Sequence, residues 1–229
     1  TIANGNLTFT TDGDLTNSGQ LMAGSALNVR SANLTNLASG EINAGSTTLT
    51  ATGTVRNTGL IDGITTRINA DTLTNIGTGR IYGDAVGVNV DTFNNLAENG
   101  TAATLAGRER VNLGVQTLNN ADHGLIYSAG SMTIGGALDD NGAVTGRAGT
   151  INNHSSTIES AGDMAIAAGQ INNINDNFST EVVRVSQDDL TDYQHTGSTN
   201  RWSSTEQGVW VDDNSSDGLK NLNTPERSG

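Results

Sequence analysis

The sequence predicts an all-β fold, a right-handed parallel β-helix (β-solenoid) with about 20 residues per coil. Three observations predict it: a repeat of nearly constant length, apolar residues alternating with period two inside each repeat, and a composition short of large side chains. Glycines 5, 24, 45, 63 and 83 are each followed twelve positions later by Asn17, Asn36, Asn57, Asn75 and Asn95. Later copies drift, with Gly107 to Asn120 at thirteen, Gly130 to Asp140 at ten and Gly162 to Asn173 at eleven. The return arc from Asn to the next Gly varies far more, from 6 to 12 residues through Gly130. One arc is therefore a scaffold and the other tolerates insertion.

Within the fixed arc, apolar residues alternate at Leu7/Phe9, Leu27/Val29, Leu49/Ala51, Val88/Val90, Val111/Leu113, Met132/Ile134 and Met164/Ile166, which is the strand period. A second inward position stands two residues before the asparagine or its Asp replacement: Leu15, Leu34, Val55, Leu73, Phe93, Leu118, Leu138, Ile151 and Ile171. A third precedes the glycine, at Leu21, Ile42, Ile61, Ile81, Leu105, Ile126 and Ile158. Three short strands per coil follow. Stacking coils in the same sense satisfies the backbone groups of each on its neighbours, at about 4.8 Å per rung. Leucine-rich repeats share the period, but they need more leucine and a helical arc, for which this arc is too short and too rich in Gly, Thr and Ala.

Aliphatic side chains stacking on their own copies account for an aromatic content of only 3%. The repeated asparagines admit two readings. Stacked amides can bond along the axis as a ladder, because each has donors and an acceptor; alternatively, asparagine tolerates turn conformations. Between Asp140 and Asn153 the step is thirteen residues and the stretch NGAVTGRAGT holds one large apolar residue, Val144, which predicts a truncated or bulged coil.

The repeat spans residues 1–173, and residues 174–229 are a different, polar segment with both tryptophans and the only proline, Pro225. Val182, Val183 and Val185 suggest a strand, and RWSSTEQGVWV, Arg201 to Val211, suggests a hairpin. The expectation is a cap on the last rung that buries Trp202 or Trp210 and blocks an aggregation-prone edge. Thr1 opens the sequence without a charged-then-apolar leader, so a piece of a longer chain is expected.

Charge narrows the function. With 24 acidic and 11 basic residues, net −13, and a single lysine, Lys220, no phosphate-tracking surface exists, which argues against nucleic acid and anionic membranes. No long apolar run predicts a membrane helix. Zero cysteines remove disulfides, thiolate metal sites and cysteine nucleophiles. His123, His154 and His195 lie singly in polar stretches and read as solvated. The pairs Asp139/Asp140, Asp188/Asp189 and Asp212/Asp213 could serve acid–base chemistry or calcium, but a lone Asp-Asp is a weak signal and a turn or solvated face is the favoured reading. The glycine-rich IGGALDD lacks the lysine and helix of a phosphate loop, and the nine-residue repeat of calcium-binding rolls is missing. No catalytic, cofactor or metal residue is assigned, and the expectation is a protein that is not an enzyme.

The phrases LTNSGQLMAG, LTNLASGEINAG, LTNIGTGRIYG, LNNADHGLIYSAG and INNHSSTIESAG resemble the haemagglutinin repeats of filamentous-haemagglutinin-like exoproteins. That resemblance covers about residues 1–173 and implies a β-helical shaft exported by two-partner secretion from a Gram-negative bacterium. Its outer-membrane transporter would be one partner and a target-cell receptor or glycan another. The family includes adhesins and the CdiA-type effectors of contact-dependent growth inhibition, and a cysteine-free chain suits threading through a transporter. Residues 151–181 resemble the end of the shaft in these effectors, and that resemblance implies that 182–229 begin a receptor-contacting segment.

Within such a shaft the variable arc offers contact surface. Its longest excursion, NLAENGTAATLAG (95–107), together with Arg80, Tyr82, Arg108 and Tyr127, is the candidate partner contact in the repeat, with Trp202 and Trp210 in the tail. Ordinary solvent-facing decoration is the competing reading. A carbohydrate-active β-helix enzyme and a passive structural fibre stand as alternatives.

Overall fold

The structure is a computed structural model that describes residues 1–185, 191–194, 199, 201–203 and 226–227. It is built of strands and turns, and among the described residues no helix is long and apolar enough to cross a membrane. Two units divide the chain, Thr1–Phe178 and Ser179–Gly229.

The first unit is a parallel β-solenoid with three strand faces per coil. Along Gln20–Ser31 the chain crosses the first face, turns at Gly24 and runs up the second; Leu34–Asn36 then makes the third. The following coils repeat the path with Glu41–Ala51 and Thr54–Asn57, then with the continuous strands Leu60–Ile76, Arg80–Glu98 and Thr104–Ala121. Each pairs in parallel with the coil before it, and alternate residues point inward.

The core consists of columns of like side chains. Leu21, Ile42, Ile61, Ile81, Leu105 and Ile126 line the first face and Leu34, Val55, Leu73, Phe93, Leu118 and Ile151 the third, all buried. Each such side chain contributes about 1.5–3 kcal/mol by leaving water. The corner glycines let successive coils approach: a Cβ on Gly45 would meet the Ser25 carbonyl at 2.8 Å, and one on Gly162 the Gly130 carbonyl at 2.8 Å.

On the second face, the register moves two of the expected pairs. Leu49 stands beside Val29 and Ile68, and Val88 beside Ile68 and Leu113. The equivalents of Leu27/Val29 are thus Thr47/Leu49 and Val86/Val88; Ala51 and Val90 occupy a further inward position, one step along. Threonine disguised the register. Thr47 and Thr66 are fully buried, and their hydroxyls donate to the carbonyls of Asp62 (2.8 Å) and Tyr82 (2.7 Å), which removes most of the cost of burial.

The stretch after Gly135 is not a truncated coil. Ala137–Leu138 and Val144–Thr145 pair antiparallel as a hairpin, and Ala148–His154 then resumes the third face, with Ile151 beside Leu118 and Asn153 beside Asn120. Asp140 therefore does not replace a repeat asparagine, nor does Leu138 fill the third-face column. The turn is closed by the Asp139 carboxylate, which accepts from Asn141 N (2.9 Å) and Ala143 N (2.8 Å), and by Gly142 at φ +79°.

This hairpin folds back over the outer side of the second face. Leu138 N donates to Asn89 Oδ1 (2.9 Å), Asn112 Nδ2 to the Gly142 carbonyl (2.8 Å) and Arg67 Nη2 to the Asp139 carbonyl (2.9 Å). Glycine at 114 makes room, since a Cβ there would overlap the backbone of Ala137 and Leu138.

In the second unit, residues 181–185 form no strand, contrary to the expectation from Val182, Val183 and Val185; three β-branched residues close together do not make a strand without a partner to pair with. Arg201–Ser203 pairs antiparallel with Thr191–Gln194, placing Trp202 opposite Tyr193. The expected partner stretch up to Val211 lies outside the described residues.

Candidate functional site

The repeat asparagines stand in one column inside the third face. From Asn17 through Asn36, Asn57, Asn75, Asn95, Asn120 and Asn153 to Asn173, each Nδ2 donates to the next Oδ1 at 2.8–3.0 Å. The same Nδ2 groups also reach carbonyls of the turn that follows, as with Asn36 to Gly40 (3.2 Å), Asn57 to Gly59 (3.1 Å) and Asn120 to Gly124 (3.1 Å). The ladder and turn readings therefore describe one arrangement. Glycine follows for a steric reason: a Cβ on Gly124 would lie 2.5 Å from Asn120 Oδ1 and 2.7 Å from the Asn95 carbonyl.

A second ladder runs on the outside of the same face. Asn119 Nδ2 donates to Asn94 Oδ1, Asn152 to Asn119 and Asn172 to Asn152, all at 2.8 Å. Sequence reasoning missed it, although the doubled Asn-Asn at 94–95, 119–120, 152–153 and 172–173 was its signal.

Candidate contact residues gather on the outer side of the first face. Tyr82 and Tyr127 share a column with Ala106 between them, and both are half-buried. Arg80 is committed to structure, with Nη1 donating to the carbonyls of Gly77 (3.2 Å), Gly79 (2.8 Å) and Ala102 (3.0 Å). Arg108 sits in the irregular corner where the register shifts between Gly107 and Arg110, the seat of the thirteenth residue in that arc. Its guanidinium reaches back to Asp84 (3.1 Å) and Asp62 (3.7 Å). The 95–107 excursion is itself a small hairpin, with Thr101–Ala102 folded antiparallel onto Ala97 and Glu98 around Asn99-Gly100.

A family described as haemagglutinin repeat matches residues 2–81, 83–142 and 104–192, well over half of the chain. The chain belongs to the haemagglutinin-repeat family. That family is one of structural and adhesin proteins, typically secreted or at the cell surface. Searches of curated proteins and of solved structures each return no match.

The other residues weighed for chemistry sit apart in this haemagglutinin-repeat chain. His123 occupies a turn at φ +68°, and His154 Nδ1 lies 3.1 Å from Asp176 Oδ2 on the surface. Asp139 closes the inserted hairpin. Among the described residues no group of three or more His, Asp or Glu is placed to hold a metal ion. Trp210, His195, Asp188/Asp189, Asp212/Asp213 and the expected cap lie outside the described residues, as does the side chain of Trp202.

Proposed function

We propose that this chain is a rigid shaft segment of a large filament at the surface of a Gram-negative bacterium, exported through an outer-membrane two-partner-secretion transporter. The filament contacts a receptor or glycan on target cells, for adhesion or for toxin delivery in contact-dependent growth inhibition. In this reading the segment is a spacer and contact surface, not an enzyme, and it uses no cofactor and no nucleic acid.

The observation that carries the reading is the unbroken inner asparagine column, supported by membership in a family of adhesins. Seven amide bonds in line join every coil from Asn17 to Asn173. Bending the stack would stretch these bonds, which from Asn36 to Asn120 lie in a core with no water to replace them. A body of this kind holds whatever it carries at a fixed distance.

The test is binding of the fluorescently labelled 229-residue chain to intact bacteria and to host cells. Saturable binding that unlabelled chain competes away is expected. Equal, non-competable signal on all cells and on bare plastic would overturn the contact role and leave a passive fibre.

A further inference from the structure

We propose that the cleft between the inserted hairpin and the second face binds the carboxylate of an acidic sugar, with Arg110 and Arg67 as its cationic walls. The cleft measures about 90 Å³, room for one carboxylate and its attachment carbon but not for a whole sugar ring. Arg67 and Arg110 both line it. They stand two coils apart, and the coil between presents only Ala85 and Gly87 beside them. That small floor opens the gap, and the hairpin turn at Asn141 and Gly142 closes one side.

The charges are arranged to receive an anion. Arg67 is held by neutral acceptors alone: Nε donates to Asn69 Oδ1 (3.4 Å), and Nη1 and Nη2 to the carbonyls of Asp140 (3.2 Å) and Asp139 (2.9 Å). Arg110 is exposed, and its side chain makes no hydrogen bond or ion pair with any described residue. The carboxylate of Asp139 is occupied by the turn, and neither Asp140 nor Glu109 lines the cleft. Among the described residues the Arg110 guanidinium meets no carboxylate, and that of Arg67 meets only neutral oxygens, in a chain of net charge −13. An unengaged guanidinium offers the planar fork that carboxylates take in bidentate fashion.

The surroundings select a sugar. Thr65 and the Asn141 amide are exposed at the mouth, positioned for hydroxyls next to the anionic group. The net negative charge disfavours a polyanion, whose remaining charges would face the acidic surface, and so favours a saccharide with isolated carboxylates. Insertions in repeat proteins also cluster on a binding face, and this hairpin is the longest departure from the repeat in the described solenoid.

This site deepens the proposed contact with target-cell glycans and rests on it for biological meaning, but it can be tested separately. Methyl glucuronide is titrated into the 229-residue chain and followed through the arginine Nε–Hε signals by NMR, with methyl glucoside and sodium sulfate as comparators. Glucuronide is expected to shift the Arg67 and Arg110 signals saturably, and glucoside to leave them in place. Arg110→Gln, which removes an exposed group without a partner among the described residues, is expected to weaken binding by about tenfold or more.

Unchanged binding in Arg110→Gln overturns the site, and sulfate binding as tightly as glucuronide overturns the sugar assignment. Glucuronide binding to a chain that ignores all cells would sink only the target-contact reading. Cell binding without glucuronide binding would sink only the cleft.

Discussion

Removing one inner asparagine tests whether the column holds the coils together. Asn75 is fully buried; its Nδ2 donates to Asn95 Oδ1 (3.0 Å) and the Thr104 carbonyl (3.0 Å), and its Oδ1 accepts from Asn57 (2.9 Å). Asn75→Ala deletes all three bonds, worth about 1 kcal/mol each. Asn57 Nδ2 keeps the Gly59 and Arg80 carbonyls, but Asn95 Oδ1 loses its donor from the ladder, which adds about 1–3 kcal/mol. The expected loss is about 4–6 kcal/mol. Urea unfolding followed by circular dichroism measures it, with hydrogen exchange of the flanking coils as a second readout, because repeat arrays need not unfold in one step. The paired control is Asn94→Ala in the half-buried outer ladder, where water replaces the lost partners and the cost stays below about 1 kcal/mol. Equal losses in the two variants, or a loss under about 1 kcal/mol in Asn75→Ala, would refute the ladder as the axial tie.

Three further substitutions probe the remaining terms. Ile68→Ala opens a cavity in the column between Leu49 and Val88 and should cost about 2–5 kcal/mol in the same unfolding assay. Thr66→Val keeps the shape but strands the Tyr82 carbonyl, so a loss of about 1 kcal/mol is expected, and a gain would mean that the buried hydroxyl is not a stabilising group. Arg108→Ala breaks two exposed ion pairs and should change stability by less than about 1 kcal/mol, with the difference vanishing in high salt.

The coil path was legible where side chains announce themselves by size or by repetition. Leucine, isoleucine and phenylalanine two places before an asparagine recur often enough to reveal the third face, and the period itself revealed the stack. Legibility failed where chemistry departs from the hydrophobic code. Thr47 and Thr66 fill apolar positions because each hydroxyl finds a carbonyl, which only the neighbouring coil supplies. The Asp-Asn-Gly turn at 140–142 was a readable hairpin signal, yet measuring spacings through it turned an insertion into an apparent short coil. Its docking depends on Gly87 and Gly114, whose outward positions can be counted from Val88 and Leu113 only once the register is known. The candidate contacts were legible as a group of residue types but not as a surface. Tyr82 and Tyr127 share one column two coils apart, with only Ala106 between them, whereas Arg80 is spent on three backbone carbonyls.

The two asparagine ladders point in opposite directions, and this bears on where the solenoid tolerates change. Inner amides donate toward the C-terminal coil and outer amides toward the N-terminal coil. Each row of aligned amides polarises its members cooperatively, and opposed rows partly cancel the field that either would build up alone. The third face is thus bonded along the axis on both sides from Asn94 to Asn172, while the other two faces rely mainly on backbone pairing and apolar columns, with the Thr47 and Thr66 hydroxyls bonding to the next coil. A residue inserted within the third face would break both rows at once. A residue inserted at its margins would break neither. The two hairpins obey this constraint: one leaves the chain after Asn95 and closes before Thr104, the other leaves after Gly135 and closes before Ala148. Any surface this shaft acquires for recognising a partner is therefore expected at those margins, where the chain can lengthen without interrupting either row.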